Sequence, residues 1–279
     1  MSVMNTQTPP AGVARDDGTM APLIAIVGCD GSGKTTLASW ISSTLPVTYC
    51  YLGLGTGNIA EKLSNWPLIG KLLVRRMSAK ARQARTKGER IPGALTALVI
   101  YGFTLLRLHR FKRMLSLRKA GQVVVCDRYP QVEVPGFNDG PGLSAARPKG
   151  PFTAWLARSE HRLFKRMAAY HPTLVIRLHI DADTAHARKP DHDLSLLRAK
   201  AAVIPKLDFN GARIVDLDAS QPLADIKATI LELVQNVMEE HQHGHQPAPR
   251  PAILSLPVLE GSAPARPKKA KPLEEPVAS

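Results

Sequence analysis

Residues 28–35 read Gly28-Cys29-Asp30-Gly31-Ser32-Gly33-Lys34-Thr35, which is the G-x-x-x-x-G-K-[ST] spacing of a phosphate-binding loop. Glycines let backbone N–H groups turn inward onto phosphate oxygens. Lys34 supplies a full positive charge, and the Thr35 hydroxyl can ligate Mg²⁺. The chemistry in view is the binding of a nucleoside triphosphate with its metal, so ATP and Mg²⁺ are the expected cofactors. Gly28, Asp30, Gly31, Ser32, Gly33, Lys34, Thr35 and Thr36 form the candidate cofactor-binding set. Far along the chain stands Asp127-Arg128-Tyr129, where a carboxylate at a strand end can reach a Mg²⁺ held by the first loop. Thr35 and Asp127 are therefore the candidate metal residues. A turn-capping role for Asp127 before Pro130 is the plainer alternative.

Such residues need a scaffold that brings two distant loops to one edge. Leu23-Ile24-Ala25-Ile26-Val27 is short, apolar and branched, and reads as a buried strand entering the loop. Thr36 to Leu45 reads as a helix with Leu37, Ile41 and Leu45 on one face, ended by Pro46. Gln122–Cys126 is a second buried-strand run. The expected order is strand 22–27, helix 34–45, strand 47–52, helices through 58–120, strand 122–126, a loop to 151 and helix 152–170. Strand 173–180, helix 182–189, helix 193–204, strand 212–217 and helix 222–240 follow. This alternation predicts an α/β fold, a doubly wound parallel five-stranded sheet, in one domain over residues 21–240. Ligands of such sheets bind outside the carboxyl ends of the strands. Residues 1–20 are polar and lack the apolar stretch of a secretory signal, while 241–279 carry eight prolines; both are expected to be disordered.

The loop with its following Thr36 resembles the G-x-D-G-x-G-K-[ST]-T loop of thymidylate kinases. Asp127-Arg128-Tyr129 is similar to their D-R-[YFH] motif. The run Pro172-Thr173-Leu174-Val175-Ile176-Arg177-Leu178-His179-Ile180-Asp181 is similar to their P-D-L-x-[IV]-x-L-x-[VL] strand, and a short helix with an Arg, Ala185-His186-Ala187-Arg188, follows as in that family. The resemblance covers roughly residues 22–240. It implies a P-loop nucleotide kinase fold and phosphoryl transfer from ATP to a nucleoside monophosphate. By the same resemblance Asp30 and Arg128 face the acceptor, and residues 186–200, with His186, Arg188, Lys189, His192, Arg198 and Lys200, are the lid over the triphosphate. Cations around a transferring phosphoryl group stabilise its spread charge, which makes Lys34, Arg128, Arg188 and Arg198 the candidate catalytic residues.

The chain also departs from that family. The F-x-R-E-P segment of thymidylate kinases has no counterpart in Tyr49-Cys50-Tyr51-Leu52-Gly53-Leu54-Gly55-Thr56-Gly57. With Asp127-Arg128-Tyr129-Pro130-Gln131, Asn138-Asp139-Gly140-Pro141 and Arg188-Lys189-Pro190-Asp191-His192, the chain looks more like a divergent thymidylate-kinase-like branch associated with bacterial surface polysaccharides, and that resemblance implies a sugar or lipid intermediate of surface-polysaccharide synthesis as a second acceptor class. A nucleotide-binding regulator or membrane-associated assembly factor is a reading from outside the enzymes. The Gly- and Pro-rich stretch 129–151 leaves the sheet directly after Arg128, and its Asp139, Arg147 and Lys149 are candidate acceptor contacts or members of an ordinary surface loop.

Charge adds a further expectation. The net charge is +14. Nine Lys or Arg lie between Lys62 and Arg90 against one acid, and six lie between Arg107 and Lys119 with none. Such a field attracts polyanions, so the basic residues within 62–119 are a candidate contact for an anionic membrane surface, or else a solvated face over an acidic-substrate cleft. Nucleic acid is disfavoured because Trp66 is the lone aromatic in the first block. Ile91 to Leu106 is uncharged but shorter than the roughly 20 residues needed to span a bilayer. It is expected to be a buried helix whose basic end lies in solvent, with Trp66-Pro67-Leu68-Ile69 a candidate interfacial insert. The three cysteines, Cys29, Cys50 and Cys126, lack metal-ligand spacing and suit a reducing, cytoplasmic setting as small buried residues. A mobile-tail metal site at His241, His243 and His245 is disfavoured, and a homodimer is left open as a further partner.

Overall fold

The computed structural model describes residues 20–53, 93–145, 147–148 and 150–243. Five strands, β1 (Leu23–Gly28), β2 (Thr48–Tyr51), β3 (Val124–Asp127), β4 (Leu174–His179) and β5 (Ile214–Asp218), form one sheet in the order β2-β3-β1-β4-β5. Every pairing is parallel. β1 lies at the centre, with Ile24 beside Val125 of β3 on one edge and Leu174 of β4 on the other. All six of its residues are buried. A strand covered on both faces cannot alternate polar with apolar side chains, which is why Leu23–Val27 is an unbroken apolar run. The chain leaves β1 toward β2 and β3 and later returns to the other side for β4 and β5. The loop after β1 therefore opens at the switch point of the sheet, where ligands bind.

Among the described residues six helices cover the sheet: α1 (Lys34–Thr44), α2 (Gly93–Lys119), α3 (Pro151–Ala168), α4 (Ala182–Arg188), α5 (Leu194–Val203) and α6 (Leu223–Gln242). α6 shows the amphipathic logic plainly, with Ile226, Ile230, Val234 and Val237 buried along one stripe. α4 and α5 are started by Asp181 and Asp193, whose carboxylates accept from Thr184 N and Leu196 N at 2.8 and 2.9 Å. α1 has no such cap and no acid in its first turn; its N-cap is Gly33 in a left-handed conformation. Its first N–H groups are therefore left for an outside anion.

α2 departs from expectation. Its apolar N-terminal half is the more exposed part, with Leu95, Leu98 and Leu105 facing outward. Its basic half is partly tucked in, because Arg107 and Arg118 are buried. Arg118 Nε donates to Ala21 O at 2.7 Å, and the guanidinium of Arg107 lies over the Phe164 ring of α3. By length and composition α2 is a helix that could cross a membrane, with 22% of its apolar window buried. Leaving the domain would break these buried arginine contacts. The expected helices before residue 93, the basic block 62–90 and Trp66–Ile69 lie outside the described residues, as do 1–19, Lys149 and 244–279. α6 itself runs two residues past the expected domain end at 240.

Candidate functional site

The loop after β1 closes tightly on its own glycines. Gly31 and Gly33 both have φ near +85°, at 88° and 84°. Left-handed positions between ordinary ones turn successive N–H groups toward a common centre. Gly31 also packs against the backbone of α4, since a Cβ there would sit 2.7 Å from Ala185 O. Ser32 Oγ is buried beneath the loop and has no hydrogen-bond partner among the described residues. An orphaned hydroxyl, inward N–H groups and an uncapped helix together fit a phosphate group.

Lys34 does not project into solvent. It is 5% exposed, and its Nζ donates to Cys29 O at 2.8 Å while lying 3.7 Å from Asp30 Oδ1. Burial pushes its ammonium below the usual lysine range, and nearby Arg128 pushes the same way. Asp30 is the hub. Its Oδ1 receives Arg128 Nη2 at 3.3 Å, and its Oδ2 receives Lys200 Nζ. Burial alone would raise its pKa, but Lys34, Lys200 and Arg128 outweigh it and hold the carboxyl well below the usual aspartate range.

Arg128 stands in a left-handed conformation, φ 59°, directly after the end of β3. For a non-glycine residue that is uncommon and aims the side chain back across the loop. Gly53 makes room for it, because a Cβ at Gly53 would lie 2.1 Å from Arg128 Cδ. Burial works against the Arg128 charge, but Asp139, Tyr51 and Asp30 more than compensate, so the guanidinium stays charged. Its Nε is buried with no hydrogen-bond partner among the described residues. The third residue of the motif has a different role. Tyr129 is buried against Phe111 and Phe209, and its hydroxyl donates to Tyr170 O, so it is a packing residue.

Asp127 lies at the last position of β3, fully buried. Thr35 Oγ1 donates to its Oδ2 at 2.6 Å and Tyr49 Oη to its Oδ1 at 3.1 Å. Burial raises the carboxyl pKa, and the two hydroxyl bonds offset this only in part. The two expected metal residues are therefore in contact, and both present hard oxygen. No cluster of three or more His, Cys, Asp or Glu side chains among the described residues is placed to hold a metal. The two oxygens of Thr35 and Asp127 are the donor type that Mg²⁺ takes when phosphate and water fill the rest of its shell.

Of the expected lid cations, Arg188 reaches the loop, donating to Gly31 O at 3.5 Å and to Ala219 O at 3.0 Å. Arg198 does not. It is largely exposed and pairs with Asp183 of α4 at 3.1 Å. Helical spacing explains the swap, since Lys200, two residues on, points toward Asp30 instead. Thr36 is exposed in the first turn of α1. Asp139 is held by Arg107, which donates to its carbonyl and to its carboxylate at 2.8 Å each, while Arg147 is exposed. The stretch 129–145 is a built structure. Gln131 Nε2 bridges the carbonyls of Val134 and Phe137, and Glu160 of α3 accepts from the N–H groups of Gly142, Leu143 and Ser144 and from the Thr104 hydroxyl.

Sequence reading missed Tyr49, Arg107 and Glu160. The only available signal was weak. Tyr49 and Tyr51 alternate on β2, but their meeting with Asp127 depends on β2 pairing with β3. The cysteines are free, with Cys29 and Cys126 buried as expected and Cys50 only half-buried. Burial raises the pKa of each thiol, which leaves them poor nucleophiles. Beside Cys29 a cavity of about 250 Å³ opens between the ends of β4 and β5, lined by Ile180, Asp181, Ile204, Asp218 and Ser220.

No protein-family model matches the chain. The Escherichia coli (strain K12) uncharacterized ATP-binding protein YghS is 43% identical over 221 residues, covering 77% of this chain and 93% of that protein. YghR of the same strain is 38% identical over 231 residues, covering 81% and 92%. A probable thymidylate kinase of Pyrobaculum aerophilum is 23% identical over 224 residues, covering 77% and 97%. Among solved structures, deoxyadenosine kinase from M. mycoides aligns with a TM-score of 0.44 at 14% identity, covering 78% of this chain and 99% of that one. A gluconokinase from Sinorhizobium meliloti 1021 aligns at 0.42 and 16%, covering 81% and 99%. Superpositions at that level add nothing to the strand order described above.

Proposed function

Because this chain belongs to the family of the Escherichia coli ATP-binding proteins YghS and YghR, we propose that it is an ATP- and Mg²⁺-dependent phosphotransferase acting on a nucleoside monophosphate, in the manner of thymidylate kinases. One observation carries the reading. Lys34, Arg128 and Lys200 converge on the single carboxylate of Asp30 at the mouth of the phosphate loop. Three cations around one anion are more than a structural ion pair requires, and phosphoryl transfer requires such a surround.

In this reading the loop N–H groups and Lys34 hold the β and γ phosphates. The cavity beside Cys29 has room for the donor base, and Arg188 bridges the loop to Ala219, which stands in sequence between the lining residues Asp218 and Ser220. Thr35 and Asp127 would hold the metal. A bound Mg²⁺ would neutralise charge on the β- and γ-phosphoryl oxygens. Arg128 offers a planar fork to an incoming phosphate, which a lysine cannot reproduce. A phosphate acceptor is already an anion, so no protein base is needed and catalysis rests on positioning and electrostatics.

A phosphorylated sugar or lipid intermediate is the second acceptor reading. It is favoured by Tyr49–Gly53, where two half-buried tyrosines and a glycine pressed on Arg128 stand in place of an Arg-Glu-Pro segment. Transfer of labelled γ-phosphate from ATP to a panel of nucleoside monophosphates and phosphorylated sugars and lipids tests both. Nucleoside monophosphates should be labelled. Slow ATP hydrolysis that no acceptor stimulates would overturn the transferase reading in favour of a nucleotide-binding regulator.

A further inference from the structure

Six large hydrophobic side chains are exposed among the described residues, and five of them, Leu95, Leu98, Leu105, Phe152 and Trp155, belong to α2 and α3. They are 45% to 62% exposed. The two helices lie side by side and run the same way. Tyr101 Oη meets Ser159 Oγ at 2.9 Å, Thr104 bonds Glu160, and Arg107 lies over Phe164 further along. The ring of Trp155 stacks on Phe152 at 6.3 Å and touches Tyr101 at 6.4 Å, so the apolar surface is continuous across the helix pair. α2 leads into the start of β3 and α3 into the start of β4, which puts both apolar N-terminal ends at the carboxyl edge of the sheet, the edge of the phosphate loop.

The charge on this face has one sign. On α2 the exposed stripe Leu95, Leu98, Gly102, Leu105 continues at helical spacing into His109, Lys112 and Arg113. On α3 the stripe Phe152, Trp155 continues into Arg158, Arg162, Lys165 and Arg166. α2 contains no acid, and the one acid of α3, Glu160, is buried and bonded. Each helix therefore presents apolar and aromatic groups at one end, then cations, and no exposed carboxylate. A second copy of the same face would bring cations against cations. A surface that accepts aromatic and leucine side chains at one depth and supplies anions at another is a lipid headgroup boundary.

We propose that the outward face of α2 and α3, centred on Leu98 and Trp155 and rimmed by Arg158 and Arg162, docks this protein on an anionic lipid bilayer without crossing it. The burial of Arg107 and Arg118 in the domain ties α2 to the sheet and sets the orientation: the N-terminal ends dip toward the lipid and the phosphate loop edge faces the membrane.

The test is co-sedimentation of the full chain with phosphatidylcholine vesicles, with and without phosphatidylglycerol, across a salt series. Binding is expected only with the anionic lipid, weakening as salt rises, and accompanied by a blue shift of tryptophan emission that the Trp155→Phe protein lacks. Leu98→Gln with Trp155→Gln should weaken binding at least about tenfold. Arg158→Gln and Arg162→Gln should each weaken it about fivefold. Melting temperature and ATP turnover in solution should stay at wild-type values in all four variants, because every substituted side chain is on the surface. No vesicle binding, or binding that the Leu98 and Trp155 changes leave intact, would overturn the proposal. So would a concentration-dependent dimer in analytical ultracentrifugation that the same changes abolish, since that result would give this face to a second copy.

Discussion

The Thr35 hydroxyl donates to Asp127 Oδ2 across 2.6 Å, joining the first turn of α1 to the end of β3 over 92 residues of sequence. Tyr49 fixes the other carboxylate oxygen from β2. Three elements thus orient one acid, and the pair of oxygens a divalent ion would use is held in place by the sheet itself.

Asp127→Asn should keep this geometry and lose the charge. ATP turnover is expected to fall by roughly a hundredfold or more, the scale of losing one preorganised electrostatic group. The Mg²⁺ concentration for half-maximal rate should rise. A Mg²⁺ titration of turnover, with melting curves to show that the fold persists, checks both. A variant with wild-type metal dependence would return Asp127 to a turn-capping role.

Gly53→Ala should act through Arg128. The new methyl would sit 2.1 Å from Arg128 Cδ and 2.5 Å from Tyr51 Oη, so the arginine must move. We expect a higher acceptor KM and lower turnover, while the shift in melting temperature on adding ATP stays near that of the wild type. Steady-state kinetics with whichever acceptor the labelled-phosphate panel identifies is the measurement. Equal loss of ATP binding would put Arg128 on the donor side.

Much of this arrangement was legible beforehand, for reasons specific to each part. Val124, Val125 and Cys126 are buried on both faces, so β3 announced itself as an apolar run, and Asp127 stood out as the acid at its end. The glycine spacing of 28–33 fixed the loop because few residue types tolerate its backbone. The cation partners were harder. Arg198 and Lys200 are two residues apart on one helix, and only the packing of α5 against α4 decides which faces Asp30. Glu160 was invisible for a similar reason, since its partners are backbone N–H groups, which carry no sequence signature. The exposure of the apolar half of α2 could not be read either, because composition reports what a helix is made of and not which neighbours cover it.

Glu160→Gln tests the support of the 142–144 turn. Its carboxylate accepts from three N–H groups and one hydroxyl while almost fully buried, and an amide offers one acceptor oxygen where the acid offers two. The expected cost is about 1–3 kcal/mol, the scale of an unsatisfied buried polar group. For a domain of this size that corresponds to a melting temperature lower by about 2–12 °C. Calorimetry checks it, and an unchanged melting point would show that the turn is held by other contacts.

Asp30 makes a pH-dependent contribution. Burial opposes its charge, but Lys34, Lys200 and Arg128 prevail and its folded-state pKa is depressed. A depressed acid stabilises the fold fully above its unfolded value of about 3.9 and loses that contribution as pH falls through the folded value. Nucleotide-free Asp30→Asn should therefore melt lower than wild type near neutrality, and the gap should narrow below about pH 4. Melting curves over that range, at constant ionic strength, provide the check. A gap that widened on the acid side would contradict the ion-pair account.

The contacts of the phosphate loop also set a timetable. Gly31 packs on Ala185, Arg188 reaches back to Gly31, and Lys200 closes on Asp30 across 170 residues. β1 itself finds its neighbours only in β3 and β4, 100 to 150 residues downstream. A ribosome that has released the chain only as far as α2 has therefore exposed an apolar strand and a glycine loop before either strand that flanks β1 exists to shape them. Capacity for anions arrives late and all at once, after the last of these partners has emerged. Until then Leu23–Val27 is the segment most in need of protection from other chains.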